Sequence, residues 1–232
     1  MAEPIVLLPG MMCDARLFAP QIAALSATRT LSCAALTGHD TMAALAAEVL
    51  HNAPPRFALA GLSMGGILAM ELLRQAPDRV AGLALLDTNP LAEVPEVKAK
   101  RAPQIEAAQT GGLAELMTDI MIPNYLATPD PAHPISTLCL EMALALGPEV
   151  FVRQSRALRD RPDQCATLRS FAGPALILCG AQDRLCPVAR HELMHDLMPH
   201  SRLDVLPDCG HLPTLEAPEQ TTAALARWLE DI

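Results

Sequence analysis

The sequence has no C-x-x-C pair: its seven cysteines, at 13, 33, 139, 165, 179, 186 and 209, are odd in number and scattered. That spacing argues against a zinc ribbon, a dithiol redox motif or a disulfide framework, and fits free thiols in a reducing compartment. No apolar run is long enough to cross a bilayer, and Met1-Ala2-Glu3-Pro4 lacks the basic leader of a signal peptide. The expectation is a soluble cytoplasmic protein with no membrane partner. No Lys/Arg stripe is present either, and a net charge of −9 argues against a nucleic-acid partner, whose phosphates need a basic face. Aromatics make up only 3% of the chain, so its 51% hydrophobic content is mostly aliphatic. With no internal repeat and no low-complexity tail, 232 residues fit one domain, or one domain carrying an insertion.

What is present is an alternation of short apolar runs with helix-period stretches. Ile5-Val6-Leu7-Leu8 reads as a buried strand ending in the turn Pro9-Gly10. A helix around 17–24, a weak strand at 30–35 and an amphipathic helix at 41–51 follow, the last stopped by Pro54-Pro55. Phe57-Ala58-Leu59-Ala60 is the next strand, leading into a helix from Met64 to about Ala76, and the run from Val80 to Leu86 is the next. The alternation then breaks. Residues 89–169 are helical in composition, punctuated by Pro95, Pro103, Pro123, Pro129, Pro131 and Pro134, and hold no convincing strand. It resumes with a strand at 175–179, a helix at 188–197, a strand at 203–206 and a terminal helix near 218–230. The pattern predicts an α/β fold with a mostly parallel sheet of about six strands, covered on both faces, its C-terminal edges all on one side. The expected division is a core of residues 1–88 and 170–232 and an inserted helical cap of 89–169.

The chemistry centres on Gly61-Leu62-Ser63-Met64-Gly65, which joins the third strand to its helix. A serine between near-neighbour glycines at such a junction reads as a nucleophile elbow; the other reading is a loop in which Ser63 caps the helix. A serine hydroxyl needs a base, and His211, in the loop after the last strand, is the candidate because that loop overhangs the sheet's C-terminal edge. His191, His195 and His200 fall on or near a predicted surface helix. The base needs an acceptor. Asp183, in Gly180-Ala181-Gln182-Asp183, follows the penultimate strand, while Asp87 closes the strand before the cap in the same way and is its rival. Asp87 otherwise caps or orients the loop into the cap, and Asp208 and Glu216 flank His211 as solvated or supporting groups. Backbone amides of Met64, after the nucleophile, and Met11, in the Pro9-Gly10 turn, are the candidate oxyanion donors.

Leu7-Leu8-Pro9-Gly10, Gly61-Leu62-Ser63-Met64-Gly65-Gly66, Gly180-Ala181-Gln182-Asp183 with Pro187, and Gly210-His211 with Glu216 and Pro218 together resemble the signature regions of the α/β-hydrolase fold superfamily. The chain is similar to its small carboxylesterase and enol-lactonase-like members. The resemblance implies a small-molecule ester, thioester or lactone substrate, no cofactor and no metal. It implies a serine hydrolase working through an acyl-enzyme on Ser63. The same three side chains also serve thioester hydrolysis, acyl transfer, perhydrolysis or C–C bond hydrolysis, and a non-catalytic receptor on the fold is the reading from another class. Pro9-Gly10 stands where many relatives have His-Gly. The short N-terminal lead leaves that edge of the sheet exposed or paired across a homodimer. Met117, Ile120, Met121, Ile122, Leu138, Leu140, Met142 and Leu146 are expected to pack within the cap or line its pocket. Arg153, Arg156, Arg159 and Arg161 form a solvated face or receive a substrate carboxylate.

Overall fold

A computed structural model describes residues 2–232. The order is β1 (Ile5–Leu8), a short 3₁₀ turn, α1 (Ala19–Leu25), β2 (Leu31–Cys33), α2 (Met42–Asn52), β3 (Phe57–Leu62), α3 (Met64–Gln75) and β4 (Val80–Leu86). After β4 come α4 (Pro95–Gln109), α5 (Leu113–Leu116), α6 (Pro134–Leu146), α7 (Pro148–Arg159) and α8 (Cys165–Ser170). The chain closes with β5 (Ala175–Gly180), α9 (Val188–Leu197), β6 (Arg202–Leu206), α10 (Pro213–Glu216) and α11 (Pro218–Leu229).

One six-stranded sheet runs in the order β2-β1-β3-β4-β5-β6, and every pairing is parallel. The four inner strands are buried along their whole length, which is why their sequences are unbroken apolar runs instead of alternating ones. Only the edge strands β2 and β6 carry exposed positions. The cover comes from two packed groups of helices, with α2, α3, α8 and α9 in contact in succession and α1, α10 and α11 packed together. The register aligns Leu8 with Gly61, Leu62 with Leu86, Leu86 with Leu178 and Gly180 with Leu206. The carboxyl ends of β1, β3, β4, β5 and β6 therefore open onto one edge, the place where α/β sheets hold their ligands.

Two elements differ from expectation at their boundaries. The helix expected from residue 17 is split into a 3₁₀ turn at Ala15–Phe18 and α1, because Pro20 fits only the first turn of a helix and so marks a new start. The weak strand at 30–35 shortens to the three residues of β2. The segment 89–169 contains helices and no strand among the described residues, and α4 packs against α7. Self-packing claims Met117, Ile122 and Met142, all buried, while Ile120 stays half exposed. No single helix among the described residues is long and apolar enough to cross a membrane.

Candidate active site

β3 delivers the chain into α3 through one sharply turned residue, Ser63, at φ 56 and ψ −116. That backbone costs an L-residue on the order of 1–3 kcal/mol, so it persists only where its surroundings impose it. Here they do. The Ser63 amide donates to Leu86 O (2.9 Å), and Thr88 Oγ1 donates to Ser63 O (2.7 Å). The flanking glycines are steric requirements: a Cβ at Gly61 would strike the Gly65 carbonyl, and one at Gly65 would strike the Leu8 carbonyl. Ser63 makes no side-chain capping bond to α3, which removes the simple N-cap reading. Among the described residues three non-glycines have positive φ, Met12, Ser63 and Asp87, and they lie just beyond β1, β3 and β4.

The freed hydroxyl meets His211. Nε2 of His211 lies 2.9 Å from Ser63 Oγ, and Nδ1 lies 2.8 Å from Asp183 Oδ2. With a carboxylate on Nδ1, that nitrogen carries the proton and Nε2 is left to accept from the serine. Asp183 Oδ1 accepts the amides of Leu185 (2.7 Å) and Cys186 (3.0 Å), which fix the carboxylate against the imidazole. Burial raises the Asp183 carboxyl, and the neighbouring His211, reinforced by the Cys186 amide and a bond from Asp87, outweighs it and leaves Asp183 below the usual carboxylate range. The His211 loop is tied down from several sides. Its amide donates to Tyr125 O (2.7 Å), and Glu216 accepts the amides of Gly210 and Leu212 at 3.1 Å each and of Ala127 at 2.8 Å. Glu216 is thus a supporting group and not a solvated one.

Asp87 does not touch the histidine in place of Asp183. It is fully buried, its Oδ1 accepts the Gly180 amide (2.9 Å), its Oδ2 has no hydrogen-bond partner among the described residues, and the Asp183 carboxyl is its neighbour. Burial, and then the charge of Asp183, pushes the Asp87 carboxyl well above its ordinary range. Of two carboxyls sharing a buried space, one keeps its proton, and here that proton serves Asp183. His191, expected on a surface helix, is instead completely buried. Its Nε2 accepts the Thr88 amide (3.1 Å), and burial lowers its pKa to about 4. The error came from reading α9 by composition, since a helix one side of which covers the sheet hides whatever residue falls on that side.

Met64, at the first position of α3, has an amide with no partner in its own helix. In the Pro9-Gly10 turn the Met12 amide is taken by Gln154 Oε1 (2.8 Å) and the Cys13 amide by Gly10 O (3.2 Å), while the Met11 amide has no acceptor among the described residues. Both expected donors are therefore free. A cavity of about 620 Å³ opens above Ser63 and His211, walled by Met11, Ile120, Met121 and Tyr125 among others. Of the four arginines considered from sequence, three lie elsewhere: Arg153 donates to Thr37 O, Arg156 pairs with Asp40 (3.6 Å) and Arg159 with Asp160 (2.7 Å). Arg161 alone reaches the cavity wall, where it joins Glu93 and Arg101, two residues the sequence reading passed over.

Asp183, Cys186 and His211 place donor atoms within 4.8 Å of one another, the one grouping among the described residues close enough to consider for a metal. Asp183 and His211 already spend those atoms on each other, and burial pushes the Cys186 thiol well up, so it keeps its proton. The set suits hydrogen bonding better than metal ligation.

Comparison with known proteins bears on the family and the fold. The sequence pattern of the alpha/beta hydrolase family matches residues 5–225. The chain is 30% identical over 204 residues to a pimeloyl-[acyl-carrier protein] methyl ester esterase of Aromatoleum aromaticum, covering 80% of this chain and 81% of that one. Among solved structures it resembles a thermophilic esterase from Thermogutta terrifontis, described with malate bound, at 28% identity and a TM-score of 0.88, covering 99% of this chain and 90% of that one. The enol-lactonase of Burkholderia xenovorans LB400 shares the fold at 24% identity and a TM-score of 0.88, covering 99% and 92%. The motif regions, the all-parallel sheet and the matched span lead to one conclusion: the chain belongs to the alpha/beta hydrolase family and is a hydrolase.

Proposed function

We propose that the protein hydrolyses a carboxylic ester or lactone through an acyl-enzyme on Ser63. The observation that carries this reading is the unbroken chain from Ser63 Oγ to His211 Nε2 (2.9 Å) and from His211 Nδ1 to Asp183 Oδ2 (2.8 Å) at the floor of a cavity. Ser63 Oγ attacks the ester carbonyl as its proton passes to His211 Nε2, and Asp183 holds the imidazole in the receptive tautomer and supports its charge. The carbonyl oxygen, now an oxyanion, is met by the Met11 and Met64 amides, each worth about 3 kcal/mol if typical of such donors. Collapse of the tetrahedral adduct breaks the bond to the leaving alkoxide, which takes the proton from His211 and departs as an alcohol. A water then repeats the sequence: His211 accepts its proton, the hydroxide attacks the acyl carbon, and the proton returns to Ser63 as the acid leaves.

In this reading residues 89–169 act as a cap over a core of 1–88 and 170–232, and the substrate is a small molecule. The names of the curated relatives supply the first substrate class to try, methyl esters of acyl chains. The test is labelling with a fluorophosphonate followed by mass spectrometry, run beside release of p-nitrophenol from short-chain esters. Labelling at Ser63, with turnover lost by at least about a thousandfold in Ser63→Ala, is the expected result. A folded protein that neither labels nor turns over any ester refutes the reading.

A further inference from the structure

The cavity wall holds a buried group that the acyl-transfer chemistry does not use. Glu93 accepts from Arg101 through both oxygens, Nη2 to Oε1 at 2.9 Å and Nε to Oε2 at 3.0 Å, and Arg161 Nη1 reaches the same Oε1 at 2.6 Å. All three side chains are buried, with 11%, 8% and 3% exposure for Arg101, Arg161 and Glu93. Two guanidiniums against one carboxylate leave a net charge of +1 at the cavity wall. The remaining donors are poorly used: Arg101 Nη1 has only Met11 Sδ, at 3.7 Å, and Arg161 Nη2 has no acceptor among the described residues. Met11 is the residue whose amide faces the reacting carbonyl in the proposed mechanism, so this charge sits one side chain away from the chemistry.

The rest of the wall has the same sign. Lys100, Arg184 and Arg190 also line the cavity, which makes five of the chain's 17 basic residues there, with Glu93 as the single acidic one. Arg184 is spent on the carbonyls of Pro123, Leu126 and Ala127, whereas Lys100 and Arg190 form no ion pair among the described residues. For a protein of net charge −9 this is a reversal confined to one hollow. A buried ion cluster is a poor way to stabilise a fold, because apolar residues of the same size do as well or better, and an odd charge is worse still. A ligand anion removes the imbalance and supplies the missing acceptors, and guanidinium forks match a carboxylate in shape.

We infer that Arg101 and Arg161, held by Glu93 and flanked by Lys100 and Arg190, form a carboxylate subsite, so that the preferred substrate is an ester bearing a second, ionised carboxyl group. This rests on the ester-hydrolase reading above. The test compares kcat/KM within two pairs of substrates. One pair is monomethyl glutarate and its neutral counterpart with isopropyl in place of the carboxylate, which puts the anion on the acyl side. The other is the acetate ester of γ-hydroxybutyrate and its isopropyl counterpart, which puts it on the alcohol side. The anionic member of at least one pair is favoured by about tenfold or more, the size of a charge-assisted hydrogen bond, and added salt shrinks the ratio. Arg161→Gln and Arg190→Met bring that ratio towards one; because the ratio is taken within a single variant, partial misfolding cancels. Neutral members turned over as well as anionic ones in both pairs would overturn the subsite and leave ester hydrolysis standing. Turnover of none of the four leaves ester hydrolysis to the fluorophosphonate labelling above, and the subsite is then decided by melting of Ser63→Ala: protection by monomethyl glutarate and not by its neutral counterpart supports it, equal or absent protection overturns it.

Discussion

Asp87 and Asp183 show how one residue type acquires two states from its surroundings. Asp183 accepts two amides and an imidazole and stays ionised, while Asp87 accepts one amide, has no cation beside it and stays protonated. Asp87→Asn keeps an acceptor for the Gly180 amide and a donor for Asp183, whereas Asp87→Ala removes both and leaves buried groups unpaired at a cost of about 1–3 kcal/mol. The substitutions also differ in their pH response. In the folded protein the Asp87 pKa is raised, so above the ordinary carboxylate range only the unfolded chain ionises there, and stability declines as pH rises. Asp87→Asn lacks that decline, and its melting temperature relative to the parent is expected to be higher at pH 8 than at pH 5. An unchanged difference across that range would mean that Asp87 is not protonated in the fold. From sequence, the two aspartates were separable only by chain order, because both close a strand in the same way; what distinguishes them is that Asp87, at φ 41, spends its carboxyl on the Gly180 amide at the end of β5, whereas Asp183 reaches His211.

At the scale of elements, the elbow was legible because it couples residue identity to a backbone demand. Only glycine fits at 61 and 65, so the sequence announces the turn, and the apolar runs on either side announce the strand and helix. Gly65→Ala is expected to force α3 away from the Leu8 carbonyl, at a cost of roughly 1–3 kcal/mol, and to lower esterase activity more than stability alone accounts for. Thermal melting read beside fluorophosphonate labelling rate checks it: a variant as stable and as reactive as the parent would show that β1 and α3 can part without consequence. The inner strands, and the helices outside 89–169 other than α10, were read to within a residue or two by the same logic of runs and periods. The Glu93, Arg101 and Arg161 cluster was not, because its members come from a loop, the middle of α4 and the segment after α7, and no local pattern links positions 93, 101 and 161. Charged residues on a helix ordinarily mean a solvated face, and that default fails where a face closes over a cavity.

The whole molecule is an acidic protein that buries several titratable side chains at one edge of its sheet. Asp87, Asp183, His191 and His211 are all buried there. His191 takes a proton near pH 6.5 when unfolded but only near pH 4 when folded, so the unfolded chain binds more protons between those values and stability falls as pH drops through them. In denaturant titrations His191→Gln, which retains an acceptor for the Thr88 amide, is expected to gain stability relative to the parent between pH 7 and pH 5; a difference that stays the same at both pH values would show that His191 does not carry this dependence. The same edge draws residues from across the chain, since Ser63 and its base are separated by 148 positions. During synthesis the serine therefore emerges long before the residue that takes its proton in the proposed mechanism. Under the proposed mechanism, until His211 has been made and its loop is in place the nascent chain carries an ordinary alcohol, chemically silent toward every ester around it, so that the enzyme is born inert and switched on by the completion of its own fold.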